Sequence, residues 1–244
     1  MSQDPPRDPE PNDELPLEEA LQSELDEALF ALDELVHEDP EEALAMFDTL
    51  PERVQARDDF QLLLARAHHQ LGQMDAALDI LRALETRVFE LGDLHHQLGD
   101  VLEDLGRTDE ANKHFLKVRA LDERQYLALP ESQRASFEDV VSRCLSRVAA
   151  AMAGKPGSEK CSLRVLVIPS EEDVLAGVDP RRLARWDGEI PQLSAYAANL
   201  FAECYDEYDG SWMVQVLAMI VEDVGDEMGL LEEALDLLGL SQPR

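Results

Sequence analysis

The sequence predicts an α-helical repeat array followed by a small α+β domain. Three observations carry that reading. From about residue 18 to residue 124 the apolar residues follow a helical period, and the pattern repeats every 34 residues. Pro130-Glu131-Ser132 then breaks it. Beyond the break, residues 162–168 alternate and are rich in β-branched side chains, the pattern of a strand lying among helices.

Residues 1–17 come first. Five prolines (Pro5, Pro6, Pro9, Pro11, Pro16) sit among acids with almost no apolar side chains, so this tail cannot bury enough surface to offset its ordering entropy. In the repeat region, residues 18–128, Gly72 and Gly106 lie 34 apart, as do Ala77 and Ala111, Ala65 and Gly99, Leu81 and Phe115, and Leu84 and Val118. One further step back reaches Ala31, Ala43, Phe47 and Leu50. Small residues at fixed offsets let paired helices approach closely, and the larger residue four positions on fills the space between them. Gly72 and Gly106 fit turns that need positive φ. In the first unit Asp39-Pro40 makes the turn, with Pro40 suited to a helix start.

These three units resemble the tetratricopeptide repeat family, best in Leu98-Gly99-x-x-Leu102 followed by Gly106, Ala111, Phe115 and Val118. His95 and Leu102 stand where the family carries its first-helix aromatics. The resemblance implies a concave groove lined by the first helix of each pair, able to hold a peptide. Laid on this chain, the groove positions are Asp93, His96, Asp100, Glu103 and Asp104 in the third unit and Asp59, Arg66, His69 and Gln70 in the second. The first unit supplies the apolar set Leu25, Ala28, Leu32, Leu35 and Val36, so the groove would grade from apolar to acidic and suit a basic segment. Within His68-His69 and His95-His96 the two rings point about 100° apart on a helix. One member of each pair is expected to pack and the other to face outward.

Past residue 129 the pattern predicts a helix over 133–153, a loop at 154–158 and a strand at 162–168 ended by Pro169. A polar, irregular stretch follows, then helices at 192–205, 212–228 and 231–238, with Asp209-Gly210-Ser211 as a cap and Gly229 as a stop. The third of these helices contains Glu222-Asp223-x-x-Asp226-x-x-Gly229. That frame, with the order of elements over residues 137–240, resembles small bacterial zincin-like metallopeptidases, whose signature is His-Glu-x-x-His-x-x-Gly. The signature works because two imidazoles at i and i+4 reach one zinc while the glutamate activates its water. Here Glu222 and Asp226 occupy the ligand positions and Asp223 the base position, and none of the six histidines lies after Pro130. The expectation is a degenerate zincin-like domain over 129–244 with no catalytic residues, no zinc and no cofactor. Two alternatives stand beside it: a hard-cation hydrolase using the oxygen ligands of Glu222, Asp226 and Glu232, and an acidic chaperone for a basic partner. Cys204 has no histidine in its own domain and reads as a buried structural thiol.

The formal net charge of −32 excludes nucleic acid and anionic membrane as partners and favours a basic protein or peptide. Between Arg185 and Arg244 thirteen acids occur with no Lys or Arg. No apolar run approaches the ~20 residues of a membrane span, and no signal-peptide pattern opens the chain, so a cytoplasmic location is expected. The sequence therefore predicts a non-catalytic interaction adaptor, a helical repeat array joined to a pseudo-metallopeptidase.

Overall fold

Helix boundaries follow local chemistry in the computed structural model, which describes residues 17–151, 161–187, 192–204 and 212–228. The expected tail, apart from Leu17, the cap at 209–211, the stop at Gly229 and the last short helix lie outside the described residues. The contacts divide the chain into two compact units, Met1–Val88 and Phe89–Arg244. The third helix pair therefore belongs with the α+β elements, although by sequence type the repeats extend to residue 128.

The first unit contains α1 (Leu17–Glu38), α2 (Pro40–Thr49), α3 (Glu52–Gln55), α4 (Asp58–Gln70) and α5 (Met74–Glu85). Asp39 caps α2 by accepting the Glu42 amide at 3.0 Å, with Pro40 in the first turn. The end of α2 is closed from a distance. Gln55 Nε2 donates to the carbonyls of Phe47 at 3.0 Å and Leu50 at 2.9 Å, the first of which also accepts the Leu50 amide at 3.1 Å. Between α4 and α5, Gly72 adopts φ +72°. The amides of Gly72 and Gln73 donate back to His69 and His68, both at 2.8 Å, which is a Schellman ending. The core joins Leu32 and Val36 of α1 to Phe47, Val54, Phe60 and Leu63.

The second unit opens with α6 (Gly92–Asp104) and α7 (Thr108–Leu127). Their turn repeats the first: Gly106 has φ +72°, and the Gly106 and Arg107 amides return to Glu103 and Leu102 at 2.8 Å. The small residue at position 99 has a direct cause. A methyl group there would overlap the Phe115 ring of α7, so glycine sets how closely the pair packs. α7 has 20 residues against 13 in α6. Its last turn places Tyr126 in a second core, edge-on to Phe201 at 5.9 Å, while Phe201 is edge-on to Phe137 at 5.1 Å.

That second core is built by α8 (Glu131–Ala151), β1 (Ser162–Leu166), β2 (Ala184–Asp187), β3 (Gln192–Tyr196), α10 (Ala197–Cys204) and α11 (Trp212–Met228), with the short α9 (Glu171–Leu175) between β1 and β2 in the chain. The three strands lie in the order β1-β3-β2, with β1 parallel and β2 antiparallel to β3. Two expectations need correction. Residues 192–205 do not form one helix, since residues 192–196 are the central strand and the helix begins at Ala197. Alternation is absent there because Leu193, Ser194, Ala195 and Tyr196 are all buried, so both strand faces are covered. The stretch after Pro169 is ordered as well. Ser170 and Asp173 form a reciprocal capping box at the start of α9, and Gly177 at φ +90° ends it. Asp173 also accepts Arg185 of β2 at 3.0 Å.

Cys144 and Cys204 are buried, and burial raises each thiol pKa to about 11, in keeping with structural thiols. Among the described residues no helix is long and apolar enough to cross a membrane.

Gly99→Ala is expected to destabilise the protein by roughly 1–2 kcal/mol, because overpacking outweighs the gain in helix propensity. Gly106→Ala, which creates no clash, should cost about 1 kcal/mol through left-handed strain alone. Urea unfolding of both variants checks this, and a stabilised Gly99→Ala protein would refute the close-approach account.

Candidate functional site

The loop joining α9 to β2 lies against the third helix pair, and three side chains of the loop and α10 hold it there. Asn199 of α10, 4% exposed, turns Nδ2 to the carbonyls of Pro180 and Arg182, both at 2.8 Å. Arg181 enters between Asp93 at the start of α6 and Asp122 of α7, its Nε donating to Asp122 at 3.1 Å and its Nη1 to Asp93. Gly92 makes room for this: a methyl group there would stand 2.6 Å from Arg181 Nη2. Burial disfavours the guanidinium, but Asp122 and Asp93 overcome that and raise its pKa above the ordinary value.

One helical turn along α6, His96 donates from Nδ1 to Asp100 and from Nε2 to Asp179, each at 3.1 Å. Two carboxylates on one ring require both nitrogens to carry protons, which defines an imidazolium. Burial opposes the charge, but the hydrogen bonds and charges of Asp100 and Asp179 prevail and raise the pKa to about 9. The His96 and Arg181 cations in turn lower the Asp179 pKa against its own burial.

Beside Arg181 opens a cleft of about 450 Å³, within the usual range of ligand sites. Tyr126, Leu129, Phe201 and Ala198 give it apolar walls, and Asp93, Asp122 and Glu203 outnumber the single cation, Arg181. Tyr126 is held in place by its hydroxyl, which donates to Glu138 at 3.2 Å. Burial first, and then the Glu138 charge, pushes that phenol well above its ordinary pKa.

The expected groove residues divide. Asp93, His96 and Asp100 are already engaged, Asp93 and His96 by the chain's own loop, whereas Glu103 and Asp104 are exposed. In the first unit Arg66 pairs with Asp33 at 2.9 Å, Asp59 with Arg57 at 2.6 Å, and His69 is half-buried. The apolar set is largely core: Leu32 and Val36 are buried against Phe47 and Phe60, because one helix face must close the unit. His95 packs as expected. Its Nε2 donates to the Phe89 carbonyl at 2.6 Å, and its Nδ1 shares a hydrogen bond with His114 Nδ1 at 3.0 Å. His68 and His69 are both half-buried, so there the expected division into a packed and an outward ring does not hold.

The expected motif positions 222, 223 and 226 fall on α11. Glu222 is exposed. Asp223 is half-buried and accepts the backbone amides of Leu183 at 3.0 Å and Ala184 at 2.6 Å, with Arg182 Nε at 3.7 Å. The Asp223 carboxylate thus ties α11 to the start of β2. Asp226 lies on the helix, while Gly229 and Glu232 fall outside the described residues. Sequence reasoning missed Arg181, Asp122 and Asn199. The signal available was the Arg181-Arg182 pair, which with Arg185 comes just before the stretch of thirteen acids without Lys or Arg.

Residues 92–124, α6 and most of α7, match the tetratricopeptide repeat model. No curated protein and no solved structure matches the chain.

Two outcomes follow from this geometry. Because the folded-state pKa of His96 exceeds the ordinary 6.5, its stabilisation is complete below pH 6.5 and is lost as pH rises through about 9. A proton NMR titration of the ring should show a midpoint near 9, and His96→Gln should remove that component of the stability profile. Asp223→Ala should cost about 1–3 kcal/mol by orphaning two amides, whereas Glu222→Ala should stay within about 0.5 kcal/mol. Denaturant midpoints compare the pair, and equal effects would contradict the clamp.

Proposed function

We propose that the chain is a non-catalytic protein-interaction adaptor whose third helix pair receives a basic segment of a partner. The tetratricopeptide repeat at residues 92–124 points to a protein-interaction role. The observation that carries the finer reading is the grip of Asp93 and Asp122 on a guanidinium above Gly92. The matched repeat already binds arginine chemistry, and Glu103 and Asp104 extend the same acidic helix to solvent. A net charge of −32 steers cationic partners toward such a surface and repels anionic ones.

We read the α+β part as a zincin-type domain that has given up its metal. Two observations support this: carboxylates stand at positions 222, 223 and 226 of the helix, and Asp223 serves the backbone instead of a water molecule. In this reading the domain's work is to present the loop at 178–183 to the repeat.

The test is binding of the full chain to blocked peptides of graded charge, followed by calorimetry. Basic peptides should bind and acidic ones should not, with affinity falling about tenfold or more between low and high salt. Asp100→Lys combined with Glu103→Lys should weaken the basic peptides further. Binding indifferent to peptide charge and to these substitutions would overturn the reading.

A further inference from the structure

Asn199 leaves one feature unexplained by the packing. Both hydrogens of its Nδ2 are engaged, by the Pro180 and Arg182 carbonyls, which fixes the amide's orientation. Its Oδ1 is buried and accepts no hydrogen bond from any described residue. Leaving such a carbonyl unpaired costs about 1–3 kcal/mol. Asn199 lines the cleft while its Oδ1 is closed to solvent, so a donor entering there meets this acceptor once the side chains of the wall give way slightly.

The rest of the lining specifies the donor. Asp93 and Asp122 hold Arg181, so the carboxylate left for a ligand is Glu203, which is exposed and enters no ion pair among the described residues. Asn199 and Glu203 stand four residues apart on α10, and the Tyr126 and Phe201 rings and Leu129 line the same cleft. An acceptor at depth, apolar walls and a carboxylate at the mouth suit a compact cation on an aliphatic stem. A primary ammonium donates to both oxygens and is attracted by the ring faces. A planar guanidinium prefers a bidentate carboxylate, and the two best placed for that already hold Arg181.

We infer that the cleft between α7 and α10 takes a lysine side chain of the partner, its ammonium reaching Asn199 Oδ1 and Glu203. The inference rests on the reading of the third helix pair as a surface for basic proteins, and it names the side chain that this surface selects. Arg181 then has a second role, as the resident cation that keeps Asp93 and Asp122 from competing for the incoming one.

The experiment uses the full chain and a blocked Lys-Ser-Gly peptide, the same peptide with its lysines acetylated, and n-butylammonium as the free amine. Calorimetry should show the lysine peptide binding about tenfold or more tightly than its acetylated form, the size of a lost charge-assisted hydrogen bond. Ala202→Trp, which fills the exposed side of the cleft, should abolish the preference. Glu203→Gln should reduce it by about three- to tenfold. Glu203 is exposed, so that variant carries the test if the tryptophan variant does not fold. Unchanged discrimination in both variants would overturn the lysine site. If basic peptides then still respond to Asp100→Lys with Glu103→Lys, the acidic-face reading stands without it. Cleft filling by butylammonium with exclusion of the peptide would also overturn the proposal, since the site would then serve a free amine.

Discussion

The guanidinium of Arg181, seated between Asp93 and Asp122 above Gly92, is the contact on which the second unit's architecture depends. It fixes the loop leading into β2 against the repeat pair, and Asn199 fixes the same loop from the other side through two backbone carbonyls. The cleft lies beside these two anchors, with Tyr126 of α7 and Phe201 of α10 in its wall. His96 adds a third point of attachment through Asp179. Each anchor joins a cation or amide to acceptors far away in sequence, so the loop is defined by charge and hydrogen bonding more than by apolar burial.

The same economy governs α11. The Asp223 carboxylate faces two strand amides and an arginine. An aspartate held by backbone donors is a structural clamp, and it adds to the Arg182 bond to the Asp223 carbonyl and to the apolar packing of α11 around Ala184. Glu222 next to it points to solvent, so neighbouring acids on one helix have separate environments. Spacing on a helix tells which residues share a face. It does not tell what the opposing surface offers them.

The long α7 connects these features. Its first half pairs with α6, where Gly99 admits Phe115, and its last turn enters the aromatic cluster of Tyr126, Phe201 and Phe137. One helix therefore belongs to both the repeat and the α+β core. This is why the compact division falls at residue 88 although the repeat pattern runs on to 128.

Much of the helical part was legible in advance. The 34-residue spacing of Gly72 and Gly106 located both turns, because positive φ leaves few alternatives to glycine, and the Ala65 and Gly99 offset marked the close approach. Asp39-Pro40 marked the start of α2 for an equally local reason. The strand at residues 192–196 escaped notice because burial on both faces erases alternation, and β2 escaped because a four-residue edge strand carries almost no periodic signal. The site was less legible still. Asp93 and His96 were marked by position, but their partners Arg181 and Asp179 lie more than 80 residues away. The sequence by itself determined the helices, their turns and the acidic character of the chain, since these follow from local dihedral preference and composition. Only the tertiary structure decided which acids hold cations, which tie down backbone amides and where a buried carbonyl lacks a donor. A carboxylate's role is set by what comes within hydrogen-bonding distance of it, and that is a property of the fold.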